Sequence, residues 1–111
     1  MVYQAFYYCE QTNEYVSPED ACEMDLALAQ ERALDFLQGA DDFFGLIDES
    51  GTTLQFARTG DTIWMEIPVP AERGSYGKHI SLAEVSPLIG DLPAYIDLND
   101  FSGMEFQSWE I

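Results

Sequence analysis

Apolar and polar positions alternate in short runs along most of the chain, and one longer stretch repeats at helical spacing. Residues 2–9, VYQAFYYC, are β-branched and aromatic, which predicts a strand with both faces partly covered. The polar QTNE at 11–14 predicts a turn. Ser17-Pro18-Glu19-Asp20 carries the marks of a helix start: a capping hydroxyl, proline at the first helical position and acids in the first turn. Cys22, Leu26, Ala29, Ala33 and Phe36 then recur at intervals of four and three, and Leu37 widens the stripe. Gly39 suits the left-handed residue that closes a helix. The pattern predicts a helix over 18–38 with Cys22, Leu26, Ala33 and Phe36 buried.

Three strands are predicted next, over 43–48, 53–58 and 62–67. Glu49-Ser50-Gly51-Thr52 and Thr59-Gly60-Asp61 supply the turns of an antiparallel meander. Pro68 and Pro70 are expected to end the third strand, because proline has no N–H to give a ladder. Residues 71–80, AERGSYGKHI, read as a loop or an edge strand. Ser81-Leu82-Ala83-Glu84 is a capping-box pattern, which predicts a short helix over about 82–89 closed by Gly90. Pro93 favours an extended exit. Tyr95–Leu98 reads as a short strand and Met104–Trp109 as a C-terminal one. The predicted class is α+β: a mostly antiparallel sheet with one long and one short helix packed on it, in a single domain over 1–111.

Charge changes the picture. The chain has 21 Asp and Glu against four Lys and Arg, a formal net charge of -17. It is also 47% hydrophobic and 14% aromatic, which separates it from disordered acidic tails. The acids are scattered rather than blocked, so the expectation is a folded surface that is negative nearly everywhere. Such a field speeds encounter with basic proteins and opposes phosphate backbones and anionic lipid. A basic protein partner is therefore expected, with neither nucleic acid nor membrane. Cys9 and Cys22 are too few for a disulfide scaffold and read as free thiols. The opening MVYQAFYYCEQ lacks the basic start and apolar run of a signal peptide, so a cytoplasmic location is expected.

Candidate chemistry is sparse. His79 is the single histidine and lies four residues from Ser75, but the sequence identifies neither an orienting acid nor an oxyanion donor. Cys9, Cys22 and His79 lack zinc-ligand spacing, and Asp41-Asp42 and Asp97/Asp100 lack the calcium-loop pattern. No phosphate-cradling or dinucleotide fingerprint occurs. No catalytic residue, metal or cofactor is therefore expected, and the chain is read as no enzyme. Glu66 lies mid-strand between Met65 and Ile67, beside Trp64, and alternation favours the solvent face for it. Ten aromatics, among them Phe6, Phe43, Trp64, Phe106 and Trp109, read mostly as core. Tyr76 and Tyr95, on less regular segments, are the expected exposed ones. Exposed aromatics among acids make good anchors for a basic partner. Glu66, Tyr76 and Asp97 are the expected partner-binding residues.

A hairpin carrying GTTLQFA (51–57), a strand TIWMEIP (62–68), a segment GKHISLAEV (77–85) leading into the short helix and a closing FQSWE (106–110) follow one another. Over roughly residues 43–110 this order resembles the Imm1-like immunity proteins of bacterial polymorphic toxin systems. The resemblance implies a non-catalytic inhibitor that occludes a cognate toxin domain, often a basic nuclease. A negative field suits that role. The alternative is an acidic nucleic-acid mimic of the phage anti-defence type, which would block a DNA- or RNA-binding protein.

Overall fold

The computed structural model of the chain describes residues 2–109. Among the described residues eight strands form one sheet in which every pairing is antiparallel. In chain order they are β1 (Val2–Cys9), β2 (Glu14–Val16), β3 (Cys22–Asp25), β4 (Phe43–Ile47), β5 (Thr53–Thr59), β6 (Thr62–Val69), β7 (Gly74–Ile80) and β8 (Glu105–Ser108). The spatial order is β2-β1-β4-β5-β6-β7-β8, and β3 also pairs with β1. β2 meets Tyr7–Cys9 and β3 meets Val2–Ala5, so the two share one edge of β1. The α+β class is as expected.

Alternation decides which side chains are buried. Tyr3, Ala5, Cys9, Phe44, Leu46, Leu54, Phe56, Ile63, Met65 and Ile67 all project to one face and are buried there. The helices α1 (Leu26–Asp35) and α2 (Leu82–Gly90) are in contact with each other. Their buried residues, Ala29 and Ala33 on α1 and Val85 and Ile89 on α2, join the same core cluster. Gln30 Nε2 bridges the helices by donating to the Ser86 carbonyl at 2.9 Å. α2 starts with the expected capping box, Glu84 accepting from the Ser81 N–H at 2.8 Å.

The long helix is shorter than the periodicity predicts. Residues 18–20 make a single 3₁₀ turn, and Cys22–Asp25 is strand β3. Pairing with β1 occupies the backbone of these four residues and buries Met24. The true cap is Asp25, whose side chain accepts from the Leu28 N–H at 2.8 Å. Cys22 is consequently exposed and Leu26 only half-buried, while Ala33 and Phe36 are buried as expected. Both cysteines are free, Cys22 standing opposite Ala5 and Cys9 lying further along β1. Phe36→Ala should therefore cost about 3–5 kcal/mol and Leu26→Ala only about 1–2 kcal/mol, because cavity cost follows burial. Urea unfolding of the two variants measures this, and equal losses would contradict the burial difference.

Three further segments differ from expectation. Residues 74–80 form an interior strand, with β6 on one side and β8 on the other. β6 continues through Pro68 to Val69, since β5 pairing stops at Glu66 and leaves β6 one unpaired side that tolerates proline. Tyr95–Leu98 is not a strand, and Leu98–Asp100 forms a 3₁₀ turn. The sheet edge at β8 leaves Phe106 and Trp109 exposed, at 44% and 52%, so these two aromatics are not core.

A candidate binding cleft on the open sheet face

The opposite sheet face carries neither helix, and its side chains follow from the register. One row across it reads Tyr15, Tyr8, Phe43, Ala57, Trp64, His79. The adjacent row reads Phe6, Gly45, Gln55, Glu66, Gly77, Glu105. Large rings stand at both sides of β5, and Ala57 offers only a methyl between them. The result is a cleft of about 320 Å³ walled by Phe6, Phe43 and Trp64, with Ala57 and Gln55 below and Glu66 at one end. Pro18 completes the rim. It gets there because residues 17–21 leave the sheet edge between the pairings Tyr7–Val16 and Ala5–Cys22, opposite Phe6.

Two glycines let the rings lie flat. A Cβ at Gly45 would sit 2.1 Å from the Phe6 ring, and one at Gly77 would sit 2.4 Å from the Trp64 ring. Glycine inside a strand commonly marks such a close approach. The Glu66 carboxylate is fixed by three neutral donors. Trp64 Nε1–H and the Ser75 hydroxyl donate to Oε2 at 2.9 and 3.0 Å, and the Gln55 amide donates to Oε1. The two cations borne on strands, Arg58 and Lys78, register with Ile63 and Met65 and so face the helices. They donate to backbone carbonyls, Arg58 to Leu37 at 3.0 Å and Lys78 to Ser102 at 2.7 Å.

The three nominated binding residues are not brought together. Glu66 lies in the cleft. Tyr76 projects to the other face, with its ring centroid 5.2 Å from that of Phe106. Its hydroxyl donates to Glu72 at 3.1 Å, and that bond, then burial, raises its pKa. Asp97 is exposed and caps its own 3₁₀ turn by accepting from the Asn99 N–H at 2.9 Å. Tyr95 is exposed as expected.

Ser75 and His79 share the open face but do not meet as nucleophile and base. Ser75 gives its hydroxyl to Glu66, His79 Nδ1 lies 3.2 Å from the Thr62 hydroxyl, and the Trp64 ring covers Gly77 between them. Asp42 is buried and accepts from the Glu10 and Gly39 N–H groups at 2.9 and 2.8 Å, which makes it a loop tie. Among the described residues no cluster of three or more His, Cys, Asp or Glu is placed to hold a metal.

Phe6, Phe43, Gln55 and Ala57 escape a site reading from sequence, because each looks like ordinary strand filling. One signal marks the first of them: Gly45, a strand glycine with no turn to explain it, lies under the Phe6 ring. Fold and site together define an α+β domain with one helix-covered sheet face and one open face bearing an aromatic, acid-ended cleft. Set against known protein families, curated proteins and solved structures, the chain matches none. Among the described residues no helix is long and apolar enough to cross a membrane.

Proposed function

We propose that this chain is a non-catalytic binding protein that occludes a basic partner, acting as an immunity protein that neutralises a cognate toxin domain. The observation that carries this is the open sheet face, where aromatic rings surround a cleft ended by a carboxylate that accepts from the neutral groups of Gln55, Trp64 and Ser75. Aromatic rings are enriched in the energetic centres of interfaces. The net charge of -17 supplies long-range attraction for a basic partner. The order of motifs over 43–110 supports the same role. A nucleic-acid mimic is less well supported, since the open face sets aromatic, amide and hydroxyl groups between its few acids.

The test is protection. A toxin domain encoded beside this gene should arrest growth when expressed alone and lose that effect when this chain is co-expressed. Association of the purified pair should be fast in about 50 mM salt and slow steeply towards about 500 mM, as screened charges require. Absence of protection by the wild-type chain, or an association rate indifferent to salt, would defeat the proposal.

A further inference from the structure

Resting on the binding role just proposed, we infer that the open-face cleft is a receptor for one arginine side chain of the partner. Three features of the cleft converge on a guanidinium. Its lining is aromatic, Trp64 included, and a cation set against an aromatic face is attracted by the ring quadrupole, arginine more often than lysine. Its end is a carboxylate whose three hydrogen bonds among the described residues come from neutral groups, which leave its negative charge in place. A carboxylate accepts about four hydrogen bonds, so Glu66 has room for one more N–H, on Oε1, which holds only Gln55. The strand-borne cations face the other side of the sheet and do not fill the place.

The cleft is also ready in advance. Gly45 and Gly77 seat the rings of Phe6 and Trp64, and Trp64 is tied to the carboxylate it flanks. The volume of about 320 Å³ falls at the small end of ligand pockets, suited to one side chain rather than a cofactor. An arginine entering it would stack on Trp64 and end on Glu66. The net charge of -17 would favour its approach, and Glu66 would repel an acidic residue in its place.

The probe is the capped tripeptide Gly-Arg-Gly, compared with the same peptide carrying citrulline, a neutral isostere of arginine. The readout is the ¹⁵N-¹H spectrum of the wild-type protein, where Trp64 and Gln55 each offer a side-chain N–H signal. The arginine peptide should move both signals saturably, and the citrulline peptide should bind at least about ten-fold more weakly. Ala57→Leu, which fills the cleft without touching the carboxylate, and Glu66→Gln should each remove the response. Equal binding of citrulline, no saturable shift, or a response that persists in folded Ala57→Leu overturns the inference. If Ala57→Leu fails to fold, Glu66→Gln and the citrulline comparison still decide it. Protection from the toxin is scored separately. Wild-type protection that survives in folded Ala57→Leu retires the arginine receptor but leaves the immunity role, whereas wild-type failure to protect retires the role.

Discussion

Asp48→Ala is expected to remove about 3 kcal/mol of stability, the cost of stranding a buried donor and losing charge-assisted hydrogen bonds. Asp48 follows β4 and is 5% exposed. Its Oδ1 accepts from the Ser50 N–H at 2.9 Å, the Ser50 hydroxyl at 2.7 Å and the Thr52 N–H at 2.9 Å, which closes the turn into β5. Its Oδ2 accepts from the Ile96 N–H at 2.6 Å. Ser50 and Thr52 are near solvent and can recruit water in the variant. The Ile96 N–H is buried and cannot, so most of the loss should come from there. Tyr3 donates its hydroxyl to the Pro93 carbonyl and so holds the same segment. Tyr3→Phe and Asp48→Ala should therefore couple rather than add. Urea unfolding checks both statements. An Asp48→Ala variant within about 0.5 kcal/mol of wild type would show that Ile96 is held by other contacts.

The same carboxylate sets a pH dependence. Burial pushes the Asp48 pKa up, but the Ser50 hydroxyl and the N–H groups of Ile96, Thr52 and Ser50 outweigh it and hold the pKa below the usual value of 3.8. A pKa lower in the folded than in the unfolded state means that the group stabilises the fold above the unfolded value. That contribution is lost as pH falls through the folded one. Protonation of the scattered surface acids works in the opposite direction, because it relieves the repulsion of a net charge of -17. The difference between wild type and Asp48→Asn isolates the buried group, and it should shrink progressively below about pH 4.

Legibility from sequence followed the range of the interactions involved. The runs 53–58 and 62–67 alternate because one face meets helices and the other does not, and that pattern, with the turn residues that bound the apolar run 43–48, located β4, β5 and β6 to within two residues. The helix start at Ser17 misled because its proline and acids suit a single 3₁₀ turn equally well. What makes Cys22–Asp25 a strand is the free edge of β1, about twenty residues earlier in sequence. Glu66 was legible as a mid-strand acid. The cleft was not, because it depends on Phe6, Phe43, Ala57 and Trp64 being neighbours across β1, β4, β5 and β6, and on the helices choosing the other face. Tyr76 does not join the cleft for a related reason: β7 is paired on both sides, so its parity and not its polarity fixes where the ring goes.

Gly77→Ala should join stability and binding in one measurement. The new Cβ would lie 2.4 Å from the Trp64 ring and 2.8 Å from the Met65 carbonyl oxygen. The ring can move, but the carbonyl belongs to the neighbouring strand β6 and cannot move without disturbing the pairing of β6 with β7. Gly45→Ala meets only the Phe6 ring among its nearest atoms, so a side-chain shift can relieve it. Overpacking of the unrelieved kind costs about 1–3 kcal/mol, and Gly77→Ala should fall towards the upper end with Gly45→Ala below it. Displacing the Trp64 indole also breaks its 2.9 Å bond to Glu66 and alters one wall of the cleft. In a Trp109→Phe background, where Trp64 is the remaining indole, its emission should shift in Gly77→Ala. The response to the arginine peptide should weaken in the same variant. A Gly77→Ala protein with wild-type stability and unchanged Trp64 emission would mean that the ring does not rest on Gly77, and the cleft as described would lose its second wall.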